Sequence, residues 1–464
     1  MDSHDTMRYE WSWEALMHPK HVILVTVDTL RADHLSCLGY PRPTTPKIDE
    51  LAKSGVLFTQ AFAHGPNTGA SMPSLFTSSY PLMYGGEGYV DGKGLTIAEC
   101  LKAQGLVTAG LHSNPFLSRA YGHDKGFDFF DDNFSLGVAR PLIFLHRIVN
   151  YFRYEPYLTG HELNRKAFRW IREHGQPIHR RGGRFFLWLH YMNVHGPYHP
   201  PAQYQHLFTR RPVSKLARHK LWKKMIHHGA SITEEERRTL VDLYDAEIRC
   251  MDDCFAALIQ ELQALGIYDH SLIVLTADHG EEFGEHAGYF HLKQLYDEVL
   301  HVPLILWGPG LPRGEMISQQ VRLIDVAPTV FDLLKLTSPS HFLGTSLMPL
   351  IEGQGGVNLD LFCEVLGRLN GARTRRFALR TSVYKYIVEF DEDGHLIGRE
   401  LYHLPTDPRE LSNLIDVPPP ELAELDRKLK TFINTTGGLE AAVETKDDVD
   451  EEVKRRLRDL GYIE

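Results

Sequence analysis

The decapeptide ADHGEEFGEH (Ala277–His286) packs four carboxylates and two imidazoles between glycines, the densest cluster of potential metal ligands and proton carriers in the chain. Asp278 and His279 lie side by side where the run LIVLT hands over to a loop, so one carboxylate oxygen and one imidazole nitrogen can meet the same divalent ion. Asp28 follows an equally apolar run, HVILVTV, and offers a second carboxylate. The competing reading makes Asp278 a turn cap and His279 a surface residue. Ser71 stands in GASMPSLFTSS (Gly69–Ser79), where Pro73 marks a helix N-terminus with Ser71 at or near its cap. Such a serine either caps the helix or acts as a nucleophile beside helix-start N–H groups, which favour the anionic centre it attacks.

The elements around these residues have to bring them together. His21–Thr29, Leu106–Leu111, Phe185–His190, Leu272–Thr276 and Val302–Trp307 are apolar, β-branched or aromatic runs of the kind that form strands buried on both faces. Helical patterns intervene at Thr45–Ser54, Thr96–Gln104, Glu162–Glu173 and Leu240–Leu265. Alternation of this kind predicts an α/β fold with a large mixed, mostly parallel sheet between helices, and places the active residues at the C-terminal ends of the strands. Asp28, His190 and Asp278 all occupy such ends.

Downstream the pattern changes. Arg375–Leu379, Tyr384–Phe390 and Gly398–His403 alternate like strands of a small antiparallel sheet. The expected organisation is an N-terminal extension (1–20), a catalytic α/β domain (21–355) and a small C-terminal α+β domain (356–464). Within 202–237 lies a basic helical insertion: seven Lys or Arg fall between Arg210 and Lys224 without one acid, before a capping box at Thr233–Glu236. It reads as a solvated insertion or as a lid over an anionic substrate. In the tail, Asp447–Glu452 precede Lys454–Arg458, the charge order a helix macrodipole prefers.

Composition sets the outer limits. The 464 residues carry 50 Lys+Arg against 60 Asp+Glu, a net charge of −10 that argues against nucleic acid as a partner. Twenty-six histidines agree with metal or acid–base chemistry without locating it. Cys37, Cys100, Cys250, Cys254 and Cys363 are odd in number and scattered; Cys250 and Cys254 are one helical turn apart, but no second pair completes a zinc-type set, so reduced thiols are expected. The start, MDSHDTMRYEWSWEALMHPK, shows no secretory pattern, and no apolar stretch is long enough for a membrane span, so a cytoplasmic protein is expected. A homo-oligomer is compatible with all of this.

These motifs, taken in order, resemble the sulfatase family of the alkaline phosphatase superfamily. VTVDTLRADHLSCLGY (Val25–Tyr40) is similar to the family's first metal motif; YDAEIRCMDD, TADHGEEFGEH, VRLIDVAPTVFDLL, GTSLMPL and ELYHLPTDPRELSNL follow the family order. The resemblance implies a sulfuric ester hydrolase with one divalent ion, Ca2+ first and Mn2+ or Zn2+ as alternatives, held by Asp28, Asp278, His279 and the nucleophile Ser71. It implies a small anionic ester as substrate. HYMNVHGPYHPP (His190–Pro201) is similar to the substrate-side loop and makes His195 an anion contact or leaving-group acid. FHLKQLYDEVLHVPLIL (Phe290–Leu306) is similar to the segment with the family's substrate lysine, although that place is held by Leu292; His291 and Lys293 flank it and either can substitute in binding substrate, Lys293 being favoured. Asn114 and His112 fall in the region of a family Lys-Trp-His that is missing here.

Two departures bear on mechanism. Thr29 replaces a second metal-motif Asp, giving a DTLR subtype. At the maturation motif, where Cys or Ser becomes formylglycine, the chain reads Ser71-Met72-Pro73-Ser74-Leu75, with Leu75 in the arginine place. A formylglycine hydrate expels sulfate by collapsing to the aldehyde, which plain serine cannot do. Unmodified Ser71 therefore points toward a phosphomonoesterase, phosphodiesterase or phosphonate monoester hydrolase; a non-catalytic metal- or anion-binding relative is the third reading.

Overall fold

The computed structural model describes residues 18–84, 90, 94–133, 157–355, 359–369, 372–437 and 454. Most of the N-terminal extension 1–20 and of the tail 447–458 singled out in the sequence lies outside the described residues.

The strands in chain order are β1 His21–Val27, β2 Val56–Phe62, β3 Val107–Leu111, β4 Phe129–Asp131, β5 Phe185–Tyr191, β6 Ser271–Ala277, β7 Glu282–Phe283, β8 Tyr289–Phe290, β9 His301–Trp307, β10 Glu315–Ile317, β11 Val321–Arg322, β12 Leu361–Leu369, β13 Ala372–Arg380, β14 Tyr384–Asp391 and β15 Leu396–His403. A nine-stranded sheet runs β10-β2-β9-β6-β1-β5-β3-β4, with β11 also paired to β2. β1 lies at its centre, parallel to β5 on one side and β6 on the other. All seven residues of each of these three strands are buried, the result expected when helices cover both faces of a parallel sheet. β9 is a strand where the sequence placed one, but it runs antiparallel to β2 and β6 and so makes the sheet mixed.

Register dictates what emerges at the C-terminal edge. Val27 pairs with Ala277, so Asp28 and Asp278 leave adjacent strands side by side. Thr26 pairs with His190. Paired residues of parallel strands share a face, as do residues two apart, so His190, Thr26 and Asp28 project to the same side.

A second sheet, β12-β13-β14-β15, is antiparallel throughout. The sequence showed three of its strands and missed β12. Two junctions fasten it to the first sheet. Asp297 receives Arg380 Nη2 and Lys385 Nζ, each at 2.8 Å, and Lys385 also pairs with Glu410 at 2.8 Å. Near β2, His64 Nδ1–H donates to Phe362 O at 2.8 Å and Glu364 N donates to His64 O at 3.0 Å. Gly65 is required there: a Cβ would stand 2.3 Å from Ala70 Cβ and 3.2 Å from Glu364 O. The basic segment forms helices Ala202–Phe208 and Lys215–His228. Among the described residues no helix is long and apolar enough to cross a membrane.

Candidate active site

The nucleophile candidate sits on helix Thr68–Thr77, every residue of which is buried. Its cap is Asn67, whose side chain accepts from Ala70 N at 2.9 Å, and not Ser71 as the sequence suggested. Pro73 is inside the helix, the sixth residue, so it did not mark the first turn. Ser71 thus stands one turn in and is freed from capping; its Oγ donates to Asp278 O at 2.5 Å. That bond joins the helix to the end of β6.

Asp28, Asp278 and His279 meet beside it. Nε2 of His279 lies 3.8 Å from Asp28 Oδ1 and 3.5 Å from Asp278 Oδ2. The other ring nitrogen, Nδ1, donates to Gly280 O at 2.9 Å. A carbonyl only accepts, so the proton belongs on Nδ1 and the lone pair of Nε2 faces the two carboxylates. Asp278 Oδ1 accepts from Thr29 N at 3.3 Å and His279 N at 2.9 Å. Asp28 Oδ2 accepts from Asn114 Nδ2 at 2.7 Å and His190 Nε2 at 3.0 Å. Asp28 Oδ1 and Asp278 Oδ2 are buried and make no hydrogen bond.

Asp28, His190 and Asp278 each offer an atom within 4.8 Å of the others. Two carboxylate charges at that separation repel by about 3.5 kcal/mol at an effective dielectric of ~20, and burial removes both unbonded oxygens from bulk solvent. The consequence is written in their protonation. Burial, then the charge of Asp28, pushes Asp278 above the usual carboxylate range. Burial opposes ionisation of Asp28 too, but His195, His190 and His279 hold it below that range. A divalent cation between the orphaned oxygens and Nε2 of His279 removes both penalties, so the donor set fits one.

The remaining candidates fall in two groups. Asn114 reaches the cluster as a partner of Asp28, while its Oδ1 caps Phe116 N at 2.9 Å. His195 and His291 stand near it, their ring centroids 5.0 Å apart, and His291 lies 4.5 Å from the ring of His279. Burial holds His195 down to about 4 and His291 well below its ordinary value. Nδ1 of His291 is 2.9 Å from Glu281 Oε1, and Phe290, at φ +77°, turns the chain to present it. Lys293 is different. It is half-buried, its charge acts on Glu389 of the second sheet, and among the described residues no hydrogen bond or ion pair joins it to Asp28, Asp278 or His279. His112 packs between Phe130 and Trp188.

Sequence reading placed His190 at a strand end but gave it no role. The structure makes it the link between Thr26 Oγ1, 2.8 Å from its Nδ1, and Asp28. Thr26 in turn accepts from Trp188 Nε1 at 3.0 Å. Pairing of two apolar strands was the signal that could have found it. Thr29 has φ +58° and its hydroxyl donates to Asp28 O at 2.8 Å, so it acts through its backbone rather than as a ligand. Arg31 is committed to Asp33 and Glu285, at 2.7 Å each.

With this geometry in place, comparison with known proteins assigns the lineage. The Sulfatase family model matches residues 20–336. The chain belongs to the sulfatase family. In this sulfatase-family chain a second match, to the C-terminal model of N-sulphoglucosamine sulphohydrolase, covers residues 284–436. Arylsulfatase K of Xenopus laevis is 29% identical over 212 residues, 44% of this chain and 39% of that protein. The Homo sapiens protein of that name is 30% identical over 208 residues, 44% and 38%. The matched region thus spans about two fifths of these relatives. Phosphonate monoester hydrolase of Agrobacterium radiobacter superposes with a TM-score of 0.68 at 20% identity, covering 90% of this chain and 95% of that one. A protein solved with its substrate D-glucosamine-2-N,6-O-disulfate gives 0.69 at 18%, covering 93% and 100%. These likenesses establish the alkaline-phosphatase-like fold of the family.

Proposed function

We propose that this sulfatase-family chain hydrolyses small anionic sulfate esters, with Ser71 or a formylglycine made from it as nucleophile. The observation that carries the reading is the convergence of Ser71 Oγ, 2.5 Å from Asp278 O, with the orphaned oxygens of Asp28 and Asp278. Asp28, Asp278 and His279 would hold the cation, and calcium is the ion we assign, since two carboxylates are hard oxygen donors. Bound there, it would neutralise charge on the ester oxygens. Asn114 and His190 fix the orientation of Asp28, and Asn67 fixes the helix that carries Ser71. His195 enters neutral, as its depressed pKa requires, and becomes a leaving-group acid only when the negative ester beside it restores its basicity. Trp222 of the basic segment packs on His195 with ring centroids 6.3 Å apart and lies against Gly196, which supports the lid reading of that segment.

One observation favours a second reading. Leu75, in the place of the maturation arginine, is buried in the hydrophobic core. A Ser71 left unmodified for want of that arginine would suit phosphate or phosphonate esters, whose serine adduct water can open by in-line displacement. Peptide mass spectrometry of native-host protein, with parallel assays on an aryl sulfate, a phosphomonoester and a phosphodiester with Ca2+, Mn2+ or Zn2+, separates the readings. Formylglycine at position 71 with sulfate turnover supports the first; unmodified serine with phosphoester turnover replaces it by the second. No turnover of any ester with any ion overturns both.

A further inference from the structure

Cys250 and Cys254 face the same side of the long helix Glu234–Ala264, and the structure supplies what their spacing lacked. His161, in the first turn of helix Gly160–Trp170, brings its Nδ1 to 3.6 Å from Cys254 Sγ. The three donor atoms of His161, Cys250 and Cys254 all lie within 4.8 Å of one another. A tetrahedral zinc ion with Zn–S of about 2.3 Å and Zn–N of about 2.0–2.1 Å sets its sulfur and nitrogen ligands about 3.5–3.6 Å apart. The observed separation already matches.

Two further features point to a ligand. Asn193 sits on the same side: its Nδ2 is 3.8 Å from Cys250 Sγ, and its Oδ1 is buried without a hydrogen-bond partner. Gly160 keeps the space open, for a Cβ there would stand 2.5 Å from Asn193 Oδ1 and 2.9 Å from Cys254 Sγ. The nearby carboxylate of Asp253 is engaged elsewhere, accepting from Arg249 at 2.5 Å and Tyr204 at 2.9 Å, so the donor set is sulfur and nitrogen with one amide.

We propose that Cys250, Cys254 and His161 form a second metal site, distinct from the carboxylate cluster, selective for a thiolate-seeking ion of the zinc class, with the Asn193 amide closing the set. Thiolate and imidazole donors favour Zn2+ over Ca2+ or Mg2+, the reverse of the preference at Asp28 and Asp278. The ion would tie three segments together: the start of helix Gly160–Trp170, the long helix, and the loop after β5. Asn193 is two residues before His195, so the site braces the loop that presents that histidine.

The test uses the full chain, stripped with chelator under reductant and titrated with Co2+. The expected result is one equivalent of cobalt producing thiolate-to-metal charge-transfer absorption, displaced by Zn2+, not by Ca2+, and retained in Asp278→Ala. Loss of the band in the Cys250→Ser/Cys254→Ser variant and its weakening in His161→Ala support the assignment. A second measurement needs no variant: Zn2+ should protect Cys250 and Cys254 of the wild-type protein from alkylation, read by peptide mapping. Absence of a charge-transfer band in folded wild-type protein, or equal alkylation with and without Zn2+, overturns the proposal. A band that disappears in Asp278→Ala while persisting in the double-serine variant overturns it as well.

Discussion

His190 offers the sharpest test of how the carboxylate cluster is held. Its ring is fully buried, donates to Asp28 Oδ2 at 3.0 Å and is oriented by Thr26 at 2.8 Å. His190→Ala removes a hydrogen bond to a charged group, worth about 1.5–3 kcal/mol, and leaves Asp28 with Asn114 as its main remaining fixed donor. Loss of a partner that orients a metal-binding side chain lowers metal affinity by about 10–100-fold, equivalent to about 1.4–2.7 kcal/mol. Calorimetric titration of Ca2+ into chelator-treated protein should show that fall in His190→Ala. His190→Gln, whose amide N–H can still reach Asp28, should show a smaller one. Thr26→Val should fall between wild type and His190→Ala, because it leaves the ring but frees its orientation. Calcium affinity in His190→Ala equal to that of wild type would refute the reasoning, and would mean that Asp28 is placed by the strand and Asn114 alone.

Other expectations follow from the same geometry. Ser71→Ala should lower turnover of whichever ester is cleaved by at least about 10³-fold in a steady-state assay. Leu75→Arg puts a guanidinium into the core; chemical denaturation should show a loss of several kcal/mol (about 3–5), and an unchanged midpoint would show that the helix face at Leu75 opens to the site instead. His286 pairs with Glu298 at 2.5 Å, and although burial opposes it, that partner raises the imidazole to about 9 from 6.5. A raised histidine stabilises the fold in full below about pH 6.5 and loses that contribution as the pH rises through about 9. Melting temperature should therefore fall between those values in wild type and stay flatter in His286→Gln.

The sequence disclosed what burial on both faces imprints. HVILVTV, FFLWLHY and SLIVLTA stand out because no residue of β1, β5 or β6 meets water, and the acids that follow the first and last stand out against them. β2 was missed because Thr59 and Gln60 interrupt its apolar run beside a register shift against β9. The direction of β9 was not legible, since an apolar run carries no sign of whether its neighbour is parallel. The cap of the Ser71 helix was misread because Pro73 resembles a first-turn proline while the real cap, Asn67, follows Pro66 in a stretch of small residues and carries no stronger signal. Lys293 was favoured by its neighbourhood in the chain; the turn at Phe290 brings the other flanking residue, His291, to 4.5 Å from the ring of His279. Lastly, the bond between His161 and the cysteine pair spans 93 residues, a distance over which spacing rules say nothing.

The junction between His64 and β12 carries a consequence for how the protein comes into being. The residues leading into the Ser71 helix are hydrogen-bonded to Phe362 and Glu364, and Asp297 is held by Arg380, Lys385 and Glu410. During synthesis the chain meets its own anchors nearly 300 residues after the serine has left the ribosome. Until the second sheet is made, the nascent protein carries every candidate reacting group without the outer bracing that the second sheet adds at His64 and Asp297. A centre assembled in that order gains its last supports only after the second sheet has formed.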